Sequence, residues 1–411
     1  MRFLPSRVGA RLRAFLGPDI ASVRQGFAAL VICAAADLVA GVTLGRVTHT
    51  LDALPGLLVL VPAAIGLRGN IFGAVGSRLG TAIHSGTFSL SRRRDTVLGQ
   101  NVLASLALSL GVSAALAVLA RTVAVAFGLG RTISIADFMV VSVLGGLLAS
   151  LIVLLLTIGV AAATVRFGWD MDNAAGPVVT AAGDLVTLPS LVIATNAVSI
   201  HVVTPVAATV LGILSLFALI AAGRTRYEAL RRIVRESTPV LLMAASLSIV
   251  AGLTLEKRLS GFRRYPALLV LVPPLLSLTG AVAEIVASRI SSKLHLGVVA
   301  PTAVPQRAAR NDFLLGVVLG VPIFAVLAGA VDGAAAALDL AGPGGLRMLE
   351  VSMIAGLTAT ALALGIGYYA SIAAFRMGLD PDNHGIPIIS SSTDLLATIS
   401  LIVTIAALGL T

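Results

Sequence analysis

Leu57 to Gly86 reads LLVLVPAAIGLRGNIFGAVGSRLGTAIHSG, and Leu268 to Gly297 reads LLVLVPPLLSLTGAVAEIVASRISSKLHLG. The two stretches align without gaps at an offset of 211 residues, with identities at Pro62 and Pro273, Gly69 and Gly280, Ser77 and Ser288, Arg78 and Arg289, and His84 and His295. A second block, Gly168 to Leu191 (GWDMDNAAGPVVTAAGDLVTLPSL), aligns on Gly378 to Leu401 (GLDPDNHGIPIISSSTDLLATISL) at an offset of 210. Leucine matched to leucine carries little weight in an apolar chain. Asp170, Asp172, Asn173, Pro177 and Asp184 matched to Asp380, Asp382, Asn383, Pro387 and Asp394 carry a great deal, and they identify an internal duplication.

The composition around these blocks defines the solvent. Of 411 residues, 57% are hydrophobic and 12% charged, against about 25% charged in soluble proteins, and mean hydropathy is +1.02. Apolar runs far longer than the roughly 10-residue alternating strands of an outer-membrane barrel predict transmembrane helices. Cys33 is the single cysteine, which excludes a disulfide scaffold. Aromatic residues make up 4% and the basic residues sit mostly in loops, so the net charge of +10 does not point to nucleic acid.

Eleven spans are predicted, at 26–46, 53–83, 96–127, 134–166, 172–196, 202–223, 238–256, 266–292, 312–340, 347–376 and 382–410. Arg2, Arg7, Arg11, Arg13 and Arg24 precede the first without a signal-peptide pattern, so the N-terminus is expected in the cytoplasm of a multi-pass inner (cell) membrane protein. This threading puts Arg92 to Arg94, the run Arg224 to Arg235, and Arg289, Lys293, Arg307 and Arg310 inside. Lys257, Arg258, Arg263 and Arg264 come out on the external side, against the usual bias. Five spans per repeat would invert the second copy, but the extra span at 202–223 restores parity. The expected architecture is all-α, two parallel five-helix repeats forming a pseudo-dimer. It divides into a basic cytoplasmic segment 1–25, a first repeat 26–200, a linker helix with basic loop 201–236, and a second repeat 237–411.

G-x-x-G-N at Gly66 to Asn70, the Ser-Arg pair closing the same span, and D-x-D-N-x-x-x-P followed by Asp seven residues later resemble the membrane domain of MgtE-type magnesium transporters. In duplicated form the chain resembles solute carrier family 41. The resemblance covers roughly residues 25–411. It implies a divalent-cation path, chiefly for Mg²⁺, between two five-helix halves; large cytosolic magnesium-sensing domains of the MgtE type find no room here, so regulation by them is not expected.

The residues support a cation path independently. Asp184 lies twelve residues beyond Asp172, about 18 Å along a helix, slightly past the middle of a hydrocarbon core about 30 Å thick. Asp394 reaches the same depth by the same count from Asp382. Such carboxylates cost about 2.5–3.5 kcal/mol each on insertion scales and ordinarily face a partner or a wet path. Oxygen ligands with retained waters suit Mg²⁺, and no His or Cys cluster suits zinc or copper. Pro62, Gly66 and Gly69 are expected to break the second span, freeing carbonyls that, with the Asn70 amide, hold the ion's water shell. In the second repeat Ala281 replaces Asn70 and Glu284 replaces Gly73, while Asp37 is matched by Ser248. Glu284 and Asp37 are therefore further cation-site candidates, and Asp37 reads equally as a proton site. Asp172 and Asp382 serve either to attract ions at the cytoplasmic mouth or simply as helix N-caps. Asp95 and Asp312 read as caps of the third spans, and Arg78 and Arg289 as interfacial anchors.

An enzyme of prenyltransferase type, binding Mg²⁺-diphosphate at D-M-D-N and D-P-D-N, is the rival reading, and a carrier of another cation or an organic substrate is a third. The enzyme requires neither the mid-depth Asp in both repeats nor the Gly-Pro feature facing it, and basic residues for a diphosphate are sparse in these blocks. Coupling to Na⁺ would need only a few more oxygens. Since both halves share one chain, a monomer can be complete.

Overall fold

The computed structural model describes residues 20–91, 93–129, 132–167, 171–262, 264–377 and 386–410, the side chains of 20–25, 167, 171–178, 260 and 386 excepted. Among these residues all regular structure is helical. The elements are α1 (Ile20–Arg46), α2 (Thr48–Ala53), α3 (Leu57–His84), α4 (Val97–Ala126), α5 (Ile135–Val140), a π-turn (Val141–Gly145), α6 (Gly146–Phe167), α7 (Met171–Thr195) and α8 (Val203–Gly223). There follow α9 (Glu228–Lys257), α10 (Leu259–Phe262), α11 (Ala267–His295), α12 (Arg307–Ala337), α13 (Gly345–Met377) and α14 (Ile386–Ala407). Ten described stretches are long and apolar enough to cross a membrane, α5 to α6 counting as one. The eleventh expected crossing is α7, whose described apolar part is Val179–Thr195. The protein is an all-α, multi-pass membrane protein.

The expected break in the second span does not occur. α3 runs through Pro62 without interruption, and α11 through Pro273 and Pro274. Proline lacks an N–H, so the carbonyl four residues earlier loses its ladder donor; these are Leu58 and, through Pro274, Val270. Both lie where another helix crosses. A methyl group at Gly252 of α9 would meet the Leu58 oxygen at 2.9 Å and the Val59 oxygen at 2.5 Å, and one at Gly41 of α1 would overlap the Val270 oxygen. The two contacts are the same contact, since Gly41 corresponds to Gly252 and Val59 to Val270 at the 211-residue offset. Backbone approach of this kind, with Cα–H facing C=O, replaces the hydrophobic drive that lipid cannot supply between helices. Accordingly α1 packs on α11, α7 and α12, and α9 packs on the corresponding α3, α14 and α4. The second helix of each half thus lies against the first helix of the other.

α9 also secures the start of α3. Gly56 is left-handed (φ 93°), and its N–H and that of Leu58 donate to the two carboxylate oxygens of Glu256 at 2.8 and 3.2 Å. A carboxylate at a helix N-terminus satisfies orphan amides and opposes the positive dipole end. At their other ends α3 and α11 stop at Gly86 and Gly297, both with φ +71°, the left-handed residue that closes a helix most easily when it is glycine.

Near those ends two expectations are corrected. Arg78 donates to Asn101 Oδ1 at 2.7 Å, and at the matching positions Arg289 donates to Asp312 Oδ1 at 3.0 Å. Asp312 is buried inside α12 and also pairs with Lys293 at 2.6 Å, so it ties α12 to α11 rather than capping a helix. The cap of α4 is Thr96, which accepts from the Gly99 N–H at 3.1 Å, while Asp95 forms only an exposed pair with Arg93. α8 lies at the margin on α4, with Val206, Val210, Ile213 and Phe217 turned outward, as suits a helix facing lipid.

Replacing Gly252 by Val should force α9 away from α3, lowering stability by about 1–3 kcal/mol through overpacking. Gly329→Ala, where nothing lies within 4 Å of the added methyl, should hold or raise it. Thermal melting of the purified protein followed by size exclusion reads both; equal melting temperatures would show that the helix crossing is loosely packed.

Candidate functional site

Four helices, α3, α7, α11 and α14, come together between the first helices of the two halves, α1 lying on α7 and α11 and α9 on α3 and α14. Asp184 on α7 is buried and accepts from Ser277 Oγ of α11 at 3.2 Å. Asp394 on α14 is buried and accepts from Ser248 Oγ of α9 at 2.9 Å. These are equivalent half-sites. Each contains the fifth and first spans of one repeat and the second span of the other, at matched positions Asp184 and Asp394, Asp37 and Ser248, Ser277 and Gly66. Gly66 adds no side chain, so its backbone comes close to Asp394: a methyl there would stand 3.5 Å from Oδ2 and 3.9 Å from Ser248 Oγ.

The halves differ in charge. Asp37 on α1 is fully buried beside Asp184 and Ser277, and among the described residues neither of its oxygens meets a donor at hydrogen-bond geometry. Its counterpart Ser248 is a neutral donor. Glu284, on α11 two turns beyond Ser277, lies within electrostatic reach of both Asp394 and Asp184. One turn before it, Gly280 borders open space, and Ala281 and Glu284 are half-buried. Among the described residues no Lys or Arg pairs with any of these four carboxylates. Nor do three acidic, His or Cys side chains converge closely enough to hold a metal ion directly.

Sequence-based expectations distribute as follows. Asp184, Asp394, Asp37, Glu284 and Gly66 gather at the centre. Gly69 turns instead to α7, a methyl there meeting Thr180 Cγ2 at 3.5 Å, and Gly183 returns the contact against the Gly69 amide. Asn70, one turn from Gly66, lines a cavity of about 20 Å³ with Arg78, Ser237 and Pro387, room for one water. The Asp172 side chain and the whole of Asp382 lie outside the described residues.

Arg68, inside the quoted stretch, is a functional-region residue that sequence reasoning passed over. Its guanidinium is fully buried, donates to Ser113 Oγ at 2.7 Å and to the Ala64 carbonyl at 3.3 Å, and leaves Nε without a partner. It fills the space against Gly146, where any larger residue would collide with it. The second half fills the matching space with the Phe324 ring, 2.6 Å from a methyl built on Gly356, and carries Thr279 in place of Arg68. Both halves keep a serine bond across this layer, from Ser142 Oγ to the Ser113 carbonyl at 2.7 Å and from Ser352 Oγ to the Phe324 carbonyl at 2.8 Å. A charge in an apolar run was the available signal.

A bundle of membrane-crossing helices with carboxylates at mid-helix in two matched half-sites belongs to the class of membrane transporters. A family model described as MgtE, divalent cation transporter, matches residues 61–194 and again 272–404. The chain belongs to the MgtE family of divalent cation transporters, whose members are transporters and not enzymes. It is 26% identical over 394 residues to solute carrier family 41 member 3 of Rattus norvegicus, covering 88% of this chain and 82% of the relative. It is likewise 26% identical to member 2 of Gallus gallus, over 89% of this chain and 66% of the relative. No solved structure matches.

Arg68→Thr alone should destabilise the first half by about 2–4 kcal/mol, since it leaves a cavity and an unpartnered Ser113. Adding Ser113→Phe, which reproduces the second half's pair, should recover much of the loss. A double-mutant cycle on melting temperature checks this; strict additivity would show that the two positions do not share one space.

Proposed function

We propose that the chain carries Mg²⁺ across the cell membrane along a path between its two MgtE-like repeats, 26–200 and 237–411, with Asp184 and Asp394 as the central ligands. The observation that carries this reading is three buried carboxylates, Asp37, Asp184 and Asp394, grouped with the half-buried Glu284 and, among the described residues, without a basic partner. Isolated buried charge of one sign is costly, and a divalent cation passing through supplies the missing countercharge. The spread of these groups favours an ion that keeps most of its water shell, the habit of Mg²⁺, which dehydrates reluctantly and takes one or two carboxylates. Serines 248 and 277 and the bare backbone at Gly66 would receive that shell's hydrogen bonds, Asn70 the next water outward, and Asp172 and Asp382 the ion at the mouth. Gly69, packed on α7, would let α3 and α7 move as one.

In this reading the N-terminus and the Arg224–Arg235 loop are cytoplasmic, one chain holds the complete path, and 201–236 acts as a linker. Na⁺ coupling fits an unequal pair of half-sites, because the Asp37 side has one carboxylate more than the Ser248 side.

Mg²⁺ flux into proteoliposomes, followed with an entrapped indicator, tests the assignment. Asp184→Asn and Asp394→Asn should each lower flux at least tenfold while the protein stays folded. Asp37→Ser, which gives that position the residue of the other half-site, should lower it less and abolish any response to a Na⁺ gradient. Normal flux in both Asn variants would make the two aspartates structural.

A further inference from the structure

The ends of α9 and α14 and the short α10 enclose a cavity of about 270 Å³. α9 extends 30 residues, about 45 Å, from Glu228 to Lys257, so this cavity lies at the membrane face opposite the Arg224–Arg235 run. Its lining divides by chemistry. Lys257 and Arg258 are cationic, Phe262, Ile402, Ile405 and Ala406 are apolar, and Gly261 completes the lining. No acidic residue is among them. The apolar floor adjoins Val403, 59% exposed on the outer surface of α14, so it continues into the surface that meets lipid tails. Lys257 Nζ lies 5.7 Å from the Phe127 ring centre, and a few residues further along the chain the Arg264 guanidinium lies 5.3 Å from that of Tyr265, the mix of cations and aromatics typical of the headgroup layer. Arg258 is exposed, and among the described residues nothing accepts a hydrogen bond from its side chain.

Positive charge on this face runs against the ordinary distribution of Lys and Arg, and the transport path does not use it. The matching positions in the first repeat are Arg46 and Val47, with Val192, Thr195 and Asn196 in place of the floor. One cation and a partly polar floor would not make the same site.

We propose that this cavity binds the phosphodiester of an anionic phospholipid, with Arg258 and Lys257 on the phosphate and the glycerol and upper acyl chain over Ile402, Ile405 and Ala406. A guanidinium takes phosphate oxygens two at a time, and an ammonium beside it adds a point charge. An apolar floor open to lipid selects a lipid-borne phosphate over a free one. The bound lipid bridges α9 to α14, the two helices joined deeper in the membrane by Ser248 and Asp394.

Native mass spectrometry of the purified full chain tests the site, with titrations of phosphatidylglycerol and of phosphatidylcholine bearing the same acyl chains. One phosphatidylglycerol should be retained at least tenfold more tightly than phosphatidylcholine, and millimolar inorganic phosphate should not displace it. Lys257→Ala with Arg258→Ala should reduce that retention about tenfold. Ile405→Trp, which fills the floor and keeps both charges, should do the same, whereas Arg46→Ala should not. Equal retention of the two lipids by the wild type, displacement by phosphate, or unchanged retention in the doubly substituted variant would each overturn the proposal.

Discussion

The meeting of Gly41 with the Val270 carbonyl, and of Gly252 with that of Val59, is the constraint from which the remaining geometry follows. Lipid tails are as apolar as leucine, so helices in a bilayer gain little from hiding leucine against leucine and depend on contact distance instead. Two glycines bring backbone against backbone, and Pro62 and Pro274, four residues beyond Leu58 and Val270, leave those carbonyls facing the crossing helix. Because α1 lies on the second helix of the opposite half, and α9 does likewise, each half-site draws residues from both repeats. Neither half could form its site alone.

That interlock gathers Asp37, Asp184, Glu284 and Asp394 where the two repeats meet. With no basic partner among the described residues, the four carboxylates create a field favourable to a cation, but no three of the groups close in on one point. A tight cage would hold an ion too long for transport, since conduction requires binding strong enough to enter and weak enough to leave. Arg68 is nearby in sequence yet turned away into the α4 and α6 layer, and it leaves the centre negative.

Much of this was readable in the chain. The offsets of 211 and 210 residues located both halves, and the apolar runs placed α3, α4 and α8 to within a few residues of Leu57–His84, Val97–Ala126 and Val203–Gly223. The repeat alignment paired Asp184 with Asp394, which occupy equivalent half-sites, and the mismatch of Asp37 with Ser248 announced the inequality of the half-sites. Other features depended on information that a linear pattern does not hold. Pro62 looked like a helix break because the fate of its freed carbonyl is decided by a helix 190 residues away. Asp312 looked like a cap because the acid's basic partners come from α11. Glu256 received no attention, since capping across two helices leaves no local motif.

The difference between Arg68 with Ser113 and Thr279 with Phe324 also bears on what fusion of two copies makes available. In a homodimer every substitution appears twice, so a buried guanidinium would enter both subunits and its desolvation would be incurred twice over. A single chain carrying both copies can explore a charged solution in one half while the other retains an aromatic one. Duplication followed by fusion turns a strict two-fold assembly into one whose halves can specialise independently, and the layer beneath Gly146 and Gly356 records that divergence.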